Sequence, residues 1–357
     1  MRLGTCIALE LVCAVGAAAG VWVVAGHGVE LAGEYLQPEA SAATATTAYV
    51  TRLPSARLEV GTPIGDTTVF EQPDDQLLAP LAATPVTGIK LNHGGTSLSL
   101  RVDFASGARA AFKPQQIHPQ SDPRREIAAY RLDRLLGIGH VAPAKSVTFA
   151  IADLIAAAPA DSRDYTTQRL SDEAIVRGGK VSGEVSWWIP EIRDAAIGTH
   201  RLDEPEGMAE WLPYLQGDVP VPPELAGTME QLSTMIVFDV LIDNADRWTG
   251  NNTKCSVDQK TLYFMDNTLS FSQFTLGHES NLTPLHRISR FSRKLVARLR
   301  TLTYASLARA LDGNDDPLAP LLHPDEIRAL LARRDHLLRY IDDLRAELGD
   351  GAVLAYP

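Results

Sequence analysis

The chain is 357 residues long, with 45% hydrophobic and 22% charged residues, which is typical of a globular protein of one two-lobed domain or two small ones. Its formal net charge of −11 argues against nucleic acid as a partner, because nucleic-acid binders need basic surface to displace counterions from phosphates. Cys6 and Cys13 lie in an N-terminal apolar segment, so Cys255 alone is left for the folded body, which excludes a disulfide framework and a cysteine zinc site.

The chain begins with a mostly apolar segment, Cys6–Gly26, which follows a single basic residue, Arg2. Its length fits a signal peptide or one membrane span, and the small residues 16–20 could supply a cleavage site. Glu10 weakens both interpretations, because a carboxylate inside an apolar segment is costly, and a buried helix is the alternative. We predict that residues 1–26 are a signal peptide or membrane anchor, and that the protein is exported to the periplasm or the exterior.

Residues 27–85 are rich in Ala, Thr and Pro without helical or strand periodicity, and they are predicted to form a tether or an N-terminal extension. Ordered structure is predicted to begin near Val86. The segment Leu98–Phe104 alternates apolar and polar residues, and a turn at Ser106-Gly107 leads into a second strand that ends at Lys113, which is a β-hairpin pattern. Gly94 and Gly95 precede this hairpin, where a phosphate-covering loop would lie, and a plain turn is the alternative.

A helix is predicted to follow the hairpin. Asp122 is a good N-cap and Pro123 a good first helical residue, while Gly137 and Gly139 favour an end near Leu136. Further elements are predicted from the apolar pattern and its spacing. These are an inter-lobe connection within Ser146–Pro222, a buried helix over Met229–Leu241 that ends at the Asp243 loop, and amphipathic helices over Ser292–Leu311 and Pro324–Leu348.

The stretch from Asp246 to Asp266 has the spacing of a phosphoryl-transfer centre. Such a centre needs an Asp that accepts the proton of the acceptor hydroxyl, an Asn five residues later that binds metal, and a second metal-binding Asp after a short hairpin. Asp246, Asn251 and Asp266 meet this spacing. Upstream, Lys113 on a strand and Glu126 on a helix could form the ion pair that directs a lysine to nucleotide phosphates. Each residue alone could be a surface or turn residue.

Three blocks of the sequence resemble one known family in the same order. They are Ala111–Pro114 with Glu126–Leu136 and Val141–Pro143, then Val237–Arg247, then Phe264–Asn267. They are similar, respectively, to the N-lobe, the catalytic loop and the metal-binding segment of the secretory-pathway atypical kinase family typified by Golgi casein kinase, xylosylkinase and four-jointed. Three blocks in order are far more specific than a single motif.

The resemblance implies an α+β, two-lobed atypical protein-kinase-like fold, with a small β-rich N-lobe over residues 86–150 and a mainly helical C-lobe over 151–350. It also implies binding of ATP with Mn²⁺ or Mg²⁺, and transfer of the γ-phosphoryl to a hydroxyl of a protein Ser or Thr or of a glycan. By matching position, Lys113 would hold the phosphates, Glu126 would orient Lys113, Asp246 would be the catalytic Asp and Asp266 would bind metal. Arg247 is expected to brace the loop through hydrogen bonds.

One departure from the family pattern keeps a second function open. The family tends to have Gly-Arg-Gly after the Asp-Asn pair, whereas this chain has Thr268-Leu269-Ser270 before Phe271. This change favours a pseudokinase, meaning an ATP-binding or structural partner that activates another protein, and the intact acidic and lysine positions oppose it. Animal members are disulfide-rich and this chain is not, which suggests a bacterial relative.

Overall fold

The structure is a computed structural model, and it describes residues 68–81, 85–92, 96–248, 252–312 and 316–357. The predicted signal or anchor segment, residues 1–26, lies outside these ranges, as does most of the predicted tether. Gly94, Gly95 and Asn251 also lie outside the described residues, so their predicted roles stay predictions.

The N-lobe is built on a six-stranded antiparallel sheet. Its strands are β1 Val86–Leu91, β2 Leu100–Phe104, β3 Arg109–Pro114, β4 Ala144–Ala150, β5 Val176–Arg177 and β6 Lys180–Trp187. In space the order is β1-β2-β3-β6-β4, with β5 paired to β6 outside this path. The pairing of β2 with β3 confirms the predicted hairpin.

The N-lobe also contains four helices, which are α1 Asp74–Leu78, α2 Pro123–Leu136, α3 Ile151–Ala156 and α4 Arg163–Glu173. Helix α2 has both predicted ends. The Asp122 side chain accepts a hydrogen bond from the Arg124 N–H at 3.1 Å, and Gly137 ends the helix with φ 63°, a conformation that costs glycine little. Helix α1 lies within the segment predicted as a tether, and Phe70, Leu77 and Leu81 around it are buried.

The β-rich lobe extends beyond the predicted boundary at residue 150. Strand β6 pairs with both β3 and β4, so a central strand of the sheet comes from the segment assigned to the C-lobe. Residues Gly183, Glu184 and Val185 are all buried, so the strand lacks the simple alternation of buried and exposed positions by which a strand is recognised. The sequence pattern therefore does not predict β6 as a strand.

The C-lobe is mainly helical. Its helices are α5 Pro205–Gln216, α6 Ala226–Ile242 with a 3₁₀ turn at Pro223–Leu225 before it, α7 Glu279–Leu285, α8 Arg293–Thr301, α9 Tyr304–Ala310, α10 Pro324–Leu348 and α11 Asp350–Val353. A three-stranded sheet joins β7 Arg193–Asp194, β10 Lys254–Cys255 and β11 Leu262–Tyr263, and β8 Ala196–Ile197 pairs with β9 His200–Arg201. The predicted α10 is confirmed, whereas the predicted helix over Ser292–Leu311 is divided where Thr303 caps a new helix.

Helix α6 is the core of the C-lobe, as its continuous apolar sequence predicts. Among the described residues, Pro223–Ile242 is the one helical segment long and apolar enough to cross a membrane, and 61% of its most apolar window is buried inside the protein. Helices α5, α7 and α10 pack around it. Asp243 ends the helix in the left-handed region with φ 58° and turns the chain into the loop that carries Asp246.

A buried ion pair joins α6 to this loop. The side chains of Asp239 and Arg247 are both 0% exposed, and Arg247 Nε lies 3.0 Å from Asp239 Oδ2. Burial raises the pKa of Asp239 to about 6, although the Arg247 guanidinium opposes the shift. Arg247 also donates to the carbonyl oxygens of Asn252 and Met265, which confirms the predicted brace. Each buried charge has its counter-ion only when the loop lies in this position against α6, so the ion pair fixes the loop on the helix.

We predict that Asp239→Ala lowers the free energy of unfolding by about 3–5 kcal/mol, because it leaves the Arg247 guanidinium buried without its counter-ion. The measurement is urea unfolding followed by tryptophan fluorescence. Arg328→Ala, which removes a solvent-exposed pair with Asp325, is the control and should cost less than about 1 kcal/mol. Equal losses for the two variants would contradict a special role for the buried pair.

Candidate active site

Lys113, Glu126 and Asp266 converge where the two lobes meet. Lys113 Nζ lies 2.7 Å from Glu126 Oε1 and 2.7 Å from Asp266 Oδ1. Strand β3 supplies the lysine, α2 supplies the glutamate one turn from its capped start, and the segment after β11 supplies the aspartate. The structure thus brings together three of the predicted site residues that are distant in sequence.

The charges of this group stabilise one another. Burial by itself would lower the pKa of Lys113, but the Asp266 and Glu126 carboxylates outweigh it and raise this pKa above its ordinary value. The Lys113 ammonium in turn lowers the pKa of Asp266, against the effect of burial. Lys113 is therefore a fixed cation and Asp266 a fixed anion at neutral pH, as the binding of phosphate and of a metal requires.

Asn267 fastens the segment that carries Asp266 to α2. Its backbone N–H donates to Glu126 Oε1 at 3.0 Å, and its Nδ2 donates to Glu126 Oε2 at 3.1 Å. Both oxygens of Glu126 are thus occupied, one of them shared with Lys113. The motif spacing assigns no role to Asn267, although its place directly after Asp266 is a signal for one.

Asp246 is held by neighbours in the loop after α6. Its Oδ2 accepts a hydrogen bond from Asn252 Nδ2 at 2.7 Å, and its backbone N–H donates to Asn244 Oδ1 at 3.2 Å. Asn244 Nδ2 in turn donates to the Asp266 carbonyl oxygen at 3.1 Å, so the two aspartates belong to one hydrogen-bonded unit. The five-residue spacing selects Asn251, which lies outside the described residues, and it gives no signal for Asn252.

The residues that depart from the family pattern support Asp266. Thr268 Oγ1 donates to Asp266 Oδ1 at 3.2 Å, and the Ser270 N–H donates to the Asn267 carbonyl oxygen at 3.1 Å, which closes a turn. Phe271 then enters the core with 0% exposure. The loss of the Gly-Arg-Gly pattern is therefore compatible with an ordered metal-binding segment.

The segment after Phe271 is anchored by Asp243 and Arg333. Asp243 accepts hydrogen bonds from Ser272 Oγ, from the N–H and Nδ1 of His278, and from Asn281 Nδ2. Burial would raise the pKa of Asp243, but the bonds from Ser272 and His278 lower it. Arg333 on α10 donates to the carbonyl oxygens of Leu241, Ser272 and Phe274. These contacts link distant parts of the sequence, and no local motif predicts them.

The donor set fits a hard divalent cation that takes most of its ligands from a nucleotide. Asp266 presents a carboxylate whose side chain is 44% exposed. Within the ranges that the structure describes, no group of three or more His, Cys, Asp and Glu residues could hold a metal by itself. Mg²⁺ typically binds through one or two carboxylates together with phosphate oxygens and water, and carboxylate oxygens suit Mn²⁺ equally.

Comparison with known proteins agrees with this geometry. Residues 224–350 match a sequence family described as Golgi casein kinase, C-terminal, Fam20. The chain is 23% identical to glycosaminoglycan xylosylkinase of Homo sapiens over 77% of this chain and 76% of that protein. It is 25% identical to glycosaminoglycan xylosylkinase of Danio rerio, over 84% of this chain and 83% of that protein.

Solved structures share the fold. The Golgi casein kinase with Mn and ADP bound superposes with a TM-score of 0.62 at 18% identity, covering 79% of this chain and 78% of the other. Hydra Fam20 with sugar gives a TM-score of 0.60 at 20% identity, covering 77% of this chain and 90% of the other. The α+β, two-lobed kinase-like fold is thus confirmed. The chain is thus similar in sequence to glycosaminoglycan xylosylkinase, and over residues 224–350 to the Golgi casein kinase family, and it shares the fold of the Golgi casein kinase.

Proposed function

We propose that this chain is an ATP-dependent kinase that moves the γ-phosphoryl of ATP to an alcohol group. The observation that carries the proposal is the Lys113 ammonium, held at 2.7 Å from both Glu126 and Asp266. Kinases use such a lysine, oriented by a helical glutamate, to hold nucleotide phosphates. The relatives are named as kinases, and one solved relative contains Mn and ADP, which supports ATP with Mn²⁺ as the ligands of this site.

Each of the predicted site residues would have a separate role in phosphoryl transfer. Lys113 would move from Asp266 to the phosphates while Glu126 keeps its position. Asp246, oriented by Asn252, would accept the proton of the attacking hydroxyl. Asp266 and Asn251 would hold the cation, Mn²⁺ or Mg²⁺, which neutralises the charge that develops on the phosphoryl oxygens. Phosphoryl transfer asks a protein mainly for positioning and for charge stabilisation, and these residues supply both.

The acceptor is either a protein Ser or Thr or a glycan. One relative is named for casein and another for xylose on glycosaminoglycan, and a shared fold does not decide between them. The pseudokinase alternative has less support, because Lys113, Glu126 and Asp266 form a connected set and Thr268 stabilises Asp266. Incubation of the protein with labelled ATP, Mn²⁺ and a panel of Ser/Thr peptides and oligosaccharides would identify the acceptor class.

We predict that Asp246→Asn lowers kcat for phosphoryl transfer by about 100-fold to 10,000-fold, the usual contribution of a general base. The substitution keeps the shape of the side chain but removes the proton acceptor. Transfer of labelled phosphate, or ADP release where no acceptor is known, is the measurement. Asp258→Asn, in an exposed turn, is the control and should leave the rate unchanged. Equal rates for the wild type and Asp246→Asn would exclude the proposed mechanism.

A second prediction concerns binding without turnover. ADP with Mn²⁺ at about 100 times its dissociation constant should stabilise the wild type by about 2.7 kcal/mol, because the ligand binds only the folded state. The stabilisation should be largely lost in Lys113→Met and in Asp266→Asn, and kept in Lys90→Met, which changes an exposed lysine of β1. Differential scanning calorimetry is the measurement. A full shift in Lys113→Met would show that the nucleotide binds elsewhere.

Export is proposed from the apolar residues 1–26, and it is supported by relatives that are named for the Golgi. We expect protein expressed from the full chain to be found in the periplasm, the medium or the membrane fraction. Mass spectrometry should then show either a new N-terminus near residues 16–26 or an intact, membrane-bound segment. Soluble cytosolic protein that retains Met1 would contradict this proposal.

A further inference from the structure

Glu184 is a buried carboxylate for which the proposed chemistry has no use. It lies on the central strand β6 with 0% exposure. Neither of its oxygens has a partner at full hydrogen-bond geometry among the residues that the structure describes, although the Ser186 side chain lies close enough to lower its pKa. An unpartnered carboxylate in a protein interior is strongly unfavourable, so such a group calls for a partner that is present in another state of the protein.

The surroundings of Glu184 point to Lys113. The two residues lie directly opposite each other on β6 and β3, on the same face of the sheet. Residues in such a cross-strand pair have Cβ atoms about 4.5–5.5 Å apart, so their side chains are neighbours. Burial and the nearby Glu126 carboxylate raise the pKa of Glu184, while the Lys113 ammonium opposes the shift, which places Glu184 within the electrostatic reach of the site.

The sheet itself does not need a carboxylate at this position. The apolar core of the N-lobe lies on the other face, where Phe112 and Val185 form the adjacent buried pair. A hydrophobic or amide side chain of similar size would fill the space of Glu184 at lower cost. Direct metal binding by a set of three carboxylates is also not found among the described residues.

Lys113 has three N–H donors, and the structure uses two of them, for Glu126 and Asp266. When Asp266 binds the cation, the ammonium loses one of these acceptors. Resting on the proposed function, we infer that Glu184 is a positioning residue, which accepts a hydrogen bond from Lys113 in the nucleotide-bound state. Lys113 is then held by Glu126 and Glu184 while its third donor reaches the phosphates.

The test compares the wild type with Glu184→Gln and Glu184→Ala. Ser182→Ala, two residues earlier on the same face of β6 and hydrogen-bonded to Thr148 near the surface, is the matched control. We expect Glu184→Ala to weaken binding of Mn²⁺·ADP by about 10-fold to 100-fold, the range typical of residues that orient a ligand-binding group. Glu184→Gln should weaken binding less, because its amide oxygen can still accept a hydrogen bond from Lys113. Glu184→Gln should also keep or raise the melting temperature of the free protein, because it removes a carboxyl group whose charged form is disfavoured by burial. Isothermal titration calorimetry and calorimetric melting give the two values.

A second comparison separates positioning from general damage to the fold. In the Lys113→Met background, with Mn²⁺·ADP raised until its weaker binding can be measured, Glu184→Ala should have no further effect on affinity, since the effect of Glu184 acts through the lysine. Unchanged nucleotide affinity in Glu184→Ala, or an equal loss with and without Lys113, would overturn the inference. A wild type that binds Mn²⁺·ADP but transfers no phosphate would contradict the proposed function alone, since the binding comparison would still decide the role of Glu184.

Discussion

The Lys113 ammonium links the two lobes through ion pairs. Lys113 reaches from the N-lobe sheet to a carboxylate of α2 and to a carboxylate of the metal-binding segment, so three parts of the chain depend on a single cation. Each of these three parts is also held by other contacts. Strand β3 lies between two other strands, α2 has a cap at each end, and Asn267 ties its segment to Glu126. The backbone that carries each charge is therefore held in place, and only the Lys113 side chain would move in the proposed reaction.

The loop after α6, which carries Asp246, depends in a similar way on a buried ion pair. Arg247 and Asp239 contribute little net stability compared with apolar residues of the same size, since both charges give up their hydration. The ion pair instead fixes the position of the loop, because the same guanidinium also donates to the carbonyl oxygens of Asn252 and Met265. Asp246 and Asp266 are thereby kept at a fixed spacing. Glu184 extends this pattern, since it too is a buried charge whose cost is explained by the site and not by the fold.

The parts that could be predicted from the sequence follow local rules. The ends of α2 depend on a capping aspartate and a glycine, and Lys113, Glu126, Asp246 and Asp266 stand in motifs whose order is informative. The contribution of β6 to the sheet could not be predicted, because its partners β3 and β4 are distant in sequence and its burial pattern is irregular. The same holds for Arg333, whose partners become neighbours only after folding.

The anchoring of the segment after Phe271 bears on regulation. In many kinases the corresponding segment is disordered until a phosphate added to it pairs with arginine. Here the carbonyl oxygens of that segment are bound by Arg333, and His278 and Asn281 are bound by Asp243, all through unmodified side chains. Phosphorylation is therefore not needed to order the segment after Phe271. The order of this segment therefore depends on side chains that are always present, and not on a modification.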